Sequence, residues 1–506
     1  MNNAIAVNGY TAILGTAISE ILHDGHFAIG KLKYHNKDVL GEGCHGTIVF
    51  QGEFDGRRVA IKKVFSRMVD IVDREINILR DSDSHANVIR YFCSESNADF
   101  TFIALELCDF SLGQFIRNRD RFPEVNIEDL DILKQSALGV AHLHSLKIVH
   151  RDLKPENILI AKNTATGITR VLISDFGLCK RLKQDSQSIS RVSGAVGTEG
   201  WKAPEMEMKN GSVTVAVDIF ALGCIYYFVL SKGRHPFGEG NVRQNNIMKK
   251  SKGDLSLIKD NELSVHLIES MIQYTPSFRP SAKSCLAHPL FWSNDKQLQF
   301  FLIVSDRIEK EEEDSEIRKI LEYGAQSVIN KNWNKYICKD LEEDLRKYRA
   351  YRHDQVRDLL RAIRNKKNHY RELPDALRQS LGDIPDHFLN YFTSRFPKLM
   401  LHVYKSMNYC AKESIFQRYY KESHAAFFKQ PFDSMFSIDE EYEDSKFEGA
   451  ILLPGVSYAA IMKNAPKQFS PHNVNTNHQD PNFTNVVKKD VRHRRRPANR
   501  GQDKKS

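Results

Sequence analysis

The chain has 506 residues, of which 41% are apolar and 27% charged, a composition typical of a soluble globular protein with about two to four domains. Its formal charge of +9 is concentrated at the C-terminus, because nine basic and only two acidic residues lie from Lys488 onward. Bulk charge is therefore no argument that the folded domains bind nucleic acid. The eight cysteines are far apart, which argues against a disulfide framework or a zinc site and favours reduced thiols in the cytosol.

No secretory signal or membrane-spanning helix is predicted. The best candidate for a span is the apolar stretch from Ile219 to Leu230. It has about twelve apolar residues, whereas a spanning helix needs roughly 18 or more. The stretch predicts a buried helix instead, and the chain as given is expected in the cytoplasm.

Residues 1–34 show no clear periodicity and have no predicted structure. A glycine-rich turn between two strand-like runs follows them. The turn contains Gly41, Gly43 and Gly46, and Val49 begins the second run. Glycines there permit unusual φ angles and let backbone amides approach nucleotide phosphates. Alone the pattern is weak, because glycine-rich hairpins are common and an ordinary turn would explain it.

The next motifs favour a nucleotide site. Lys62 ends a strand-like run, and Glu75 lies in a helical stretch downstream. Such a lysine can contact the α- and β-phosphates while the glutamate holds it by an ion pair. A later apolar strand predicts a hinge, where backbone groups from Glu106 to Cys108 would meet an adenine. An ordinary strand and turn is the alternative for that segment.

The stretch from Ile148 to Asn157 carries the residues of a phosphoryl-transfer site. Asp152 can orient a hydroxyl group, and Lys154 can contact the phosphoryl group that is transferred. Asn157 and, further on, Asp175 are predicted ligands of Mg²⁺, with Asp175 at the start of an Asp-Phe-Gly motif. The spacing therefore predicts a kinase active site.

Three further signals complete the set in the expected order: Ala203-Pro204-Glu205, Asp218 and Arg279. The six ordered motifs resemble those of a eukaryotic-type protein kinase, which we assign to residues 35–292. The resemblance implies a bilobal α+β fold with ATP or ADP and Mg²⁺ as cofactors. A pseudokinase is the less favoured alternative, because every motif residue needed for phosphoryl transfer is present.

The loop between Asp175 and Glu205 is a candidate for regulation. It contains Arg191 and four serines: Ser186, Ser188, Ser190 and Ser193. A phosphate added there brings about 1.5 to 2 negative charges and could dock on Arg151, which would order the loop. A flexible polar loop in which serines are simply common is the alternative.

The sequence after the kinase motifs is helix-rich and poor in glycine. Val356, Leu359, Leu360 and Ile363 recur at helical spacing and predict one apolar helix face. Asp354 precedes them and is predicted to be the N-cap of this helix.

The opposite face of the same helix is predicted to carry Asn365 and His369, with Arg364 and Lys366 on its flanks. Such a set suits metal-free RNA cleavage, in which a base removes the 2′-hydroxyl proton and cations and an amide hold the phosphate. An acid then protonates the leaving 5′-oxygen, and histidine suits that role. A basic helix with one histidine is more often only a solvated surface, so spacing alone leaves both interpretations open.

Two stretches of this region resemble a known nuclease domain. Arg361 to Pro374 (RAIRNKKNHYRELP) and Tyr391 to Pro397 (YFTSRFP) are similar to the inositol-requiring kinase/endoribonuclease family of the unfolded-protein response. Asp175 to Lys180 (DFGLCK) and Gly197 to Met206 (GTEGWKAPEM) resemble the same family. Ribonuclease L resembles the chain more distantly. The resemblance implies an all-α, KEN-type ribonuclease domain, which we assign to residues 293–423.

The resemblance also implies nuclease residues at Tyr351, Arg364, Asn365, Lys366 and His369. In the family the tyrosine is assigned as general base and the histidine as general acid, and the product is a 2′,3′-cyclic phosphate. A free tyrosine has a pKa of about 10, so a tyrosine that acts as base needs neighbouring cations such as Arg364.

Further implications concern regulation and partners. The family's autophosphorylation sites correspond to Ser188, Ser190 and Ser193. Nucleotide in the kinase cleft is expected to favour a back-to-back homodimer or higher oligomer, with the chain itself as phosphorylation substrate. A stem-loop RNA is the implied nuclease substrate, and the cytosolic face of the endoplasmic reticulum membrane is the implied location.

Some features depart from the family. Its members carry a lumenal sensor domain and a membrane span ahead of the kinase, so the chain is either a soluble paralogue or an incomplete product. Residues 424–506 predict a mostly disordered tail. Its basic end could contact RNA, direct nuclear import or stay solvated. For the whole chain, the alternative is a signalling kinase whose helical domain only dimerises or binds partners.

Overall fold

The computed structural model describes residues 19–21, 25–43, 46–66, 69–162, 167–183, 188–190, 197–208 and 211–428. The N-terminal lobe is an antiparallel sheet of seven strands in the order β1-β2-β3-β4-β5-β7-β6. The strands are β1 (Ser19–Ile21), β2 (His26–Ile29), β3 (Leu32–Glu42), β4 (Ile48–Phe54), β5 (Arg57–Phe65), β6 (Tyr91–Ser96) and β7 (Phe100–Glu106). Helix α1 (Val69–Ser82) is the lobe's helix.

The strands β1 and β2 were not predicted, because their few residues show no regular alternation of apolar and polar side chains. Pairing between strands orders them, β1 with β2 and β2 with β3. Phe27 of β2 stacks on Tyr34 with ring centroids 5.3 Å apart, and Ile29 is buried. The region without predicted structure therefore contributes the edge of the sheet.

The second lobe is mainly helical. Its helices are α2 (Leu112–Arg117), α3 (Asp129–Ser145), α4 (Ala216–Leu230), α5 (Val242–Met248), α6 (Glu262–Met271) and α7 (Ala282–Ala287). Short strands complete it: β8 (Phe110–Ser111), β9 (Ile148–Val149), β10 (Ile158–Lys162), β11 (Thr169–Ile173), β12 (Lys180–Arg181), β13 (Ile189–Ser190) and β14 (Ser212–Val213). Helix α4 contains the apolar stretch predicted to be a core helix, and its burial on nearly all sides confirms that prediction. Within the described residues, no helix has both the length and the apolar character needed to cross a membrane.

An all-helical region follows. Its helices are α8 (Asn294–Ile308), α9 (Glu316–Glu322), α10 (Ala325–Val328), α11 (Lys339–Arg346), α12 (Val356–Asn368), α13 (Asp375–Leu381), α14 (Asp386–Thr393), α15 (Leu399–Met407) and α16 (Ser414–Tyr420). They enclose their own apolar core, whose members include Trp333, Phe300 and Phe388. Two lobes followed by a helical domain are the predicted architecture.

Helix α12 packs against α8 and α9, and its predicted apolar face is fully buried. Its predicted N-cap is wrong: the helix begins at Val356 after Gln355, and Asp354 lies outside it. The carboxylate of Glu322, at the end of α9, accepts hydrogen bonds from the backbone N–H groups of Val356 and Arg357, both at 2.9 Å. A tertiary contact thus satisfies the amides that a local cap would otherwise bind.

The chain returns to the second lobe after α16. Residues Ala425–Phe428 form a 3₁₀ turn, and Phe427 is fully buried in the core of the second lobe. These residues belong to the predicted disordered tail, and so the tail begins in an ordered, packed segment. Residues 429–506, including the basic end, lie outside the described residues.

Candidate functional sites

The glycine-rich turn connects β3 and β4. Gly46 has a φ of +73°, and a Cβ there would lie 2.7 Å from the Phe65 ring, so the backbone requires glycine at this position. The Gly43 amide donates to the carbonyl of Thr47 at 2.8 Å, which closes the turn. Gly41 has open space where a Cβ would be. The turn can therefore approach a ligand through its backbone.

Lys62 joins the two lobes through its ammonium group. Its Nζ lies 2.6 Å from Glu75 Oε1 on α1 and 2.9 Å from Asp175 Oδ1. Burial disfavours the charged amine, but the two carboxylates outweigh it and raise the pKa of Lys62. The same lysine is the main cause that lowers the pKa of Asp175 to about 2. The predicted phosphate-binding lysine, its partner and the predicted metal ligand are thus brought together.

The loop after β9, which carries the predicted catalytic residues Asp152 and Lys154, forms a second hydrogen-bonded set. Lys154 Nζ lies 3.1 Å from Asp152 Oδ2 and donates to the hydroxyl of Thr198 at 2.8 Å. Thr198 in turn donates to Asp152 Oδ1 at 2.7 Å. Thr198 was not predicted as a site residue. Thr198 lies in the stretch Gly197 to Trp201, whose sequence indicated a family resemblance but no role for the threonine. Its contact with Asp152 joins residues 46 positions apart in the chain.

Buried partners fix this loop. Asp218 accepts hydrogen bonds from the backbone amides of His150 and Arg151, both at 2.8 Å, and contacts His144 at 2.9 Å. Arg151 has a φ of +68° and Asp175 a φ of +62°, conformations that cost energy for residues other than glycine. The surrounding contacts hold the loop in this strained geometry. Arg279 and Glu205, both buried, form a two-point ion pair below it.

The predicted Mg²⁺ ligands fit a metal by their available atoms. Asn157 donates from its Nδ2 to the backbone and side-chain oxygens of Asp152, at 2.9 and 3.0 Å. Its side-chain oxygen Oδ1 is left for a ligand. Asp175 uses one carboxylate oxygen for Lys62. The remaining oxygens are hard ligands of the kind that Mg²⁺ prefers.

The hinge segment lies where β7 ends. The Glu106 carboxylate forms an ion pair with Arg170. The Glu106 backbone amide donates to the Arg90 carbonyl at 2.9 Å. Cys108 is partly buried, and burial raises the pKa of its thiol to about 12. Burial therefore favours the neutral form of this thiol.

The loop serines are only partly described. Ser188 is partly buried, and Ser190 lies in β13, which pairs with β14. Ser193 lies outside the described residues. Arg151, on which a loop phosphate is predicted to dock, donates from Nε to the carbonyl of Leu178 at 2.7 Å. Phosphorylation and its docking on Arg151 therefore stay predictions.

In the helical domain, α12 and the segments next to it bring four of the five predicted nuclease residues to one region. Asn365 donates from Nδ2 to the hydroxyl of Tyr351 at 3.0 Å, and Arg364 donates to the amide oxygen of Asn365 at 3.2 Å. His369 is the C-cap of α12, and its side chain is 65% exposed. Its Nδ1 lies 3.0 Å from a carboxylate oxygen of Glu372.

Arg364 is also held by acidic residues of α8 and its C-terminal end. Its guanidinium lies 3.0 Å from Asp306 and 3.1 Å from Glu309. A phosphate that approaches Arg364 therefore competes with, or adds to, carboxylates already present.

Lys366 departs from the predicted arrangement. It does not lie on an exposed flank beside Asn365 but is buried in an ion pair with Asp344 of α11. Asp344, 22 residues earlier in the chain, binds the ammonium group on the buried side of α12. Lys366 can supply a fixed charge, and its ammonium is enclosed by protein.

Comparisons with known proteins agree with both parts of the molecule. Residues 34–291 match the protein kinase domain family, and residues 297–420 match the ribonuclease 2-5A family. Serine/threonine-protein kinase/endoribonuclease ire-1 of Caenorhabditis elegans is 49% identical over 425 residues, which cover 83% of this chain and 43% of that protein. Serine/threonine-protein kinase/endoribonuclease IRE2 of Homo sapiens is 49% identical over 397 residues, 78% of this chain and 43% of that protein.

A fungal relative is similar over a comparable share of the chain. Sensor for unfolded proteins in the ER ire1 of Schizosaccharomyces pombe is 40% identical over 433 residues, 78% of this chain and 40% of that protein. The chain spans less than half the length of each of these three relatives. With its kinase domain followed by a ribonuclease 2-5A domain, the chain belongs to the protein kinases and, within them, to the serine/threonine-protein kinase/endoribonuclease family.

Proposed function

We propose that this chain is a bifunctional enzyme, a serine/threonine protein kinase and a metal-independent endoribonuclease, in which the kinase cleft regulates RNA cleavage. The observation that carries the proposal is the linked set of Tyr351, Asn365 and Arg364 one helical turn from the exposed His369. A base, an amide, a cation and an acid on one short segment are the groups that phosphodiester cleavage needs.

For RNA cleavage, Tyr351 removes the proton of the ribose 2′-hydroxyl, and the 2′-oxygen attacks the adjacent phosphorus. Asn365 and Arg364 hold the phosphate oxygens, and Lys366 adds positive charge from the interior. His369 gives a proton to the leaving 5′-oxygen as that bond breaks. The products are a 2′,3′-cyclic phosphate and a 5′-hydroxyl end, and the two proton transfers balance.

For phosphoryl transfer, Gly41, Gly43, Gly46 and Val49 cover the nucleotide, and backbone groups from Glu106 to Cys108 hold the base. Lys62, positioned by Glu75, contacts the phosphates. Asn157 and Asp175 would hold Mg²⁺, which when bound neutralises charge on the phosphates. Asp152 orients the hydroxyl that is phosphorylated, and Lys154 contacts the phosphoryl group.

Regulation follows from the paired domains. We expect ATP or ADP in the cleft, and phosphorylation of Ser188, Ser190 and Ser193 by the chain itself, to favour a homodimer or higher oligomer that cuts a stem-loop RNA. The Schizosaccharomyces pombe relative is named as a sensor for unfolded proteins in the ER. A role in that response, with RNA splicing or decay at the cytosolic face of that membrane, is the corresponding proposal here.

A second candidate is a signalling kinase whose helical domain only dimerises or binds partners. The ion pairs of Arg364 and Lys366 with carboxylates of their own chain favour this alternative, since structural pairs need no substrate.

The deciding experiment is cleavage of a stem-loop RNA in the presence of ADP and a chelator of divalent metal ions. Wild type is compared with His369→Ala and with Asn368→Ala, a change at the exposed neighbouring residue. Loss of a general acid is expected to slow cleavage at least about 100-fold, whereas Asn368→Ala cuts normally. Equal cutting by wild type and His369→Ala, or no cyclic phosphate in the product, would contradict the nuclease assignment.

A further inference from the structure

A pocket of about 880 Å³ opens in the helical domain between the turn after α12 and the helices α13 and α14. None of the predicted nuclease residues lines it. Tyr370, which directly follows His369, forms one wall, and Tyr391 and Arg395 form another. The pocket therefore borders the proposed cleavage site without being part of it.

Arg395 presents a fixed flat cation to this pocket. Its guanidinium carbon lies 3.7 Å from the centroid of the Tyr391 ring, so the two groups stack. Nε donates to the carbonyl of Tyr336 at 3.1 Å, and Nη1 donates to the carbonyl of Tyr391 at 2.7 Å. Among the described residues, no ion pair joins Arg395 to a carboxylate. Its plane is thus oriented by backbone oxygens, while its charge is not neutralised.

Tyr391 is itself held in place. Its ring is buried, and its hydroxyl accepts a hydrogen bond from the backbone amide of Cys338 at 2.8 Å. One face of the Arg395 guanidinium is therefore covered by a rigid ring. Arginine planes of this kind are stacking surfaces for unpaired RNA bases.

The other charges of the pocket distinguish between a base and a phosphate. Arg378 pairs with Asp375, and Asp383 also lines the pocket. The carboxylates of Asp375 and Asp383 repel an anionic ligand such as a phosphate group. The amide of Asn390 and the ring of His387 offer hydrogen-bonding groups that match the edges of a neutral base. The lining is therefore suited to a nucleobase.

The wall that carries Tyr370 ties this pocket to the cleavage site. The Tyr370 hydroxyl donates to the carbonyl of Gly382 at 2.9 Å, and its ring packs edge-on against Phe388. The segment after His369 is thus fixed to the pocket wall. A nucleotide next to the cleaved bond would reach the pocket directly.

We propose that this pocket binds one unpaired base of the RNA substrate, beside the cleaved phosphodiester, by stacking on Arg395. The inference rests on the proposed endoribonuclease function and assigns that site a base-binding subsite. It makes Arg395 a specificity-determining residue with no part in the proton transfers.

The test uses stem-loop RNAs in which single nucleotides on either side of the cleaved bond are replaced by base-free residues. Each RNA is also made with a 2′-deoxyribose at the cleaved position, so that binding can be measured without cleavage. The variants are Arg395→Ala and Arg395→Lys, which keeps the charge but loses the plane. Arg346→Ala, which removes an exposed arginine of α11, is the matched control.

We expect Arg395→Ala to weaken binding of the intact RNA and raise KM about tenfold or more, with kcat little changed. Arg395→Lys recovers little, and Arg346→Ala has no such effect. One of the base-free RNAs lacks the base that stacks on Arg395. Wild type and Arg395→Ala are expected to bind that RNA with equal affinity.

Equal losses for Arg395→Ala on the intact and on every base-free RNA would overturn the proposal, as would unchanged binding of the intact RNA. Thermal unfolding of Arg395→Ala at the wild-type temperature excludes misfolding as the cause. Failure of the nuclease assignment has a different signature, since RNA would then bind without being cut or be cut equally by His369→Ala.

Discussion

Lys366 and Asp344 form an ion pair whose side chains are only 7% and 6% exposed. Removing two charges from water is costly, and their attraction offsets that cost only while both are present. Lys347 lies 3.6 Å from the other oxygen of Asp344, at the surface. Asp344 therefore holds the charge of Lys366 in place next to Asn365.

Asp344→Asn should strongly destabilise the helical domain, because it leaves the Lys366 ammonium buried without a counter-charge. We expect the free energy of unfolding to fall by about 3–5 kcal/mol. Urea unfolding followed by tryptophan fluorescence measures it, since Trp333 lies in the same core. Asp340→Asn, at an exposed position of α11, is the control. A loss below about 1 kcal/mol would show that the pair is open to solvent.

At the scale of elements, a chain of hydrogen bonds connects the two domains. The Leu290 amide donates to His288 Nδ1 at 3.2 Å, and His288 Nε2 lies 3.1 Å from His266 Nδ1. His266 Nε2 then lies 3.0 Å from the carbonyl of Phe427. Every link is satisfied when both rings are neutral, with each ring donating from Nε2. The turn after α16 is thus fastened to α6.

Burial, with a smaller effect of Lys405, lowers the pKa of His266 to about 3, and burial lowers that of His288 well below its ordinary value. The unfolded chain therefore takes up protons first as pH falls. Stability is kept above pH about 6.5 and declines below it toward about pH 3, by at most about 1.4 kcal/mol per pH unit for each ring.

His266→Gln should reduce this pH dependence, because one of the two titrating rings is removed while a donor to Phe427 remains. The free energy of unfolding at pH 7.5 and pH 5.5 measures the slope for the variant and the wild type. His26→Gln, at an exposed position of β2, should leave the slope unchanged. An identical slope for His266→Gln and wild type would contradict the neutral pairing.

Local patterns in the sequence predicted the elements but not the contacts between them. The buried face of α12 followed from the spacing of Val356, Leu359, Leu360 and Ile363, since periodicity is a local property. The N-terminal cap of the same helix could not be predicted from spacing, because it is supplied by Glu322, which lies 34 residues earlier in the chain.

The candidate sites divide in the same way. Motifs predicted Lys62, Asp152 and Asp175, whose roles depend on short spacings. Thr198 beside Asp152 and the burial of Lys366 both arise from packing between distant segments, which no local pattern records.

At the scale of the whole molecule, the kinase cleft and the proposed nuclease residues lie in different parts of one chain. The second lobe and the helical domain share a packed junction, where Phe427 enters the kinase core and Leu263 contacts both cores. We propose that nucleotide in the cleft controls RNA cleavage through assembly of two chains. The central claim is therefore coupling between the two sites.

The most direct test is the rate of stem-loop RNA cleavage as ADP and Mg²⁺ are added, for wild type, Lys62→Ala and Lys63→Ala. Lys63 is the matched control because it neighbours Lys62 on β5 but stacks over the Phe100 ring, 3.9 Å from its centroid. We predict that ADP stimulates wild type and Lys63→Ala alike. Lys62→Ala should need an ADP concentration at least about tenfold higher for the same stimulation, because it lacks a charged contact with the phosphates. Cleavage by wild type that proceeds at the same rate with and without ADP would contradict the account.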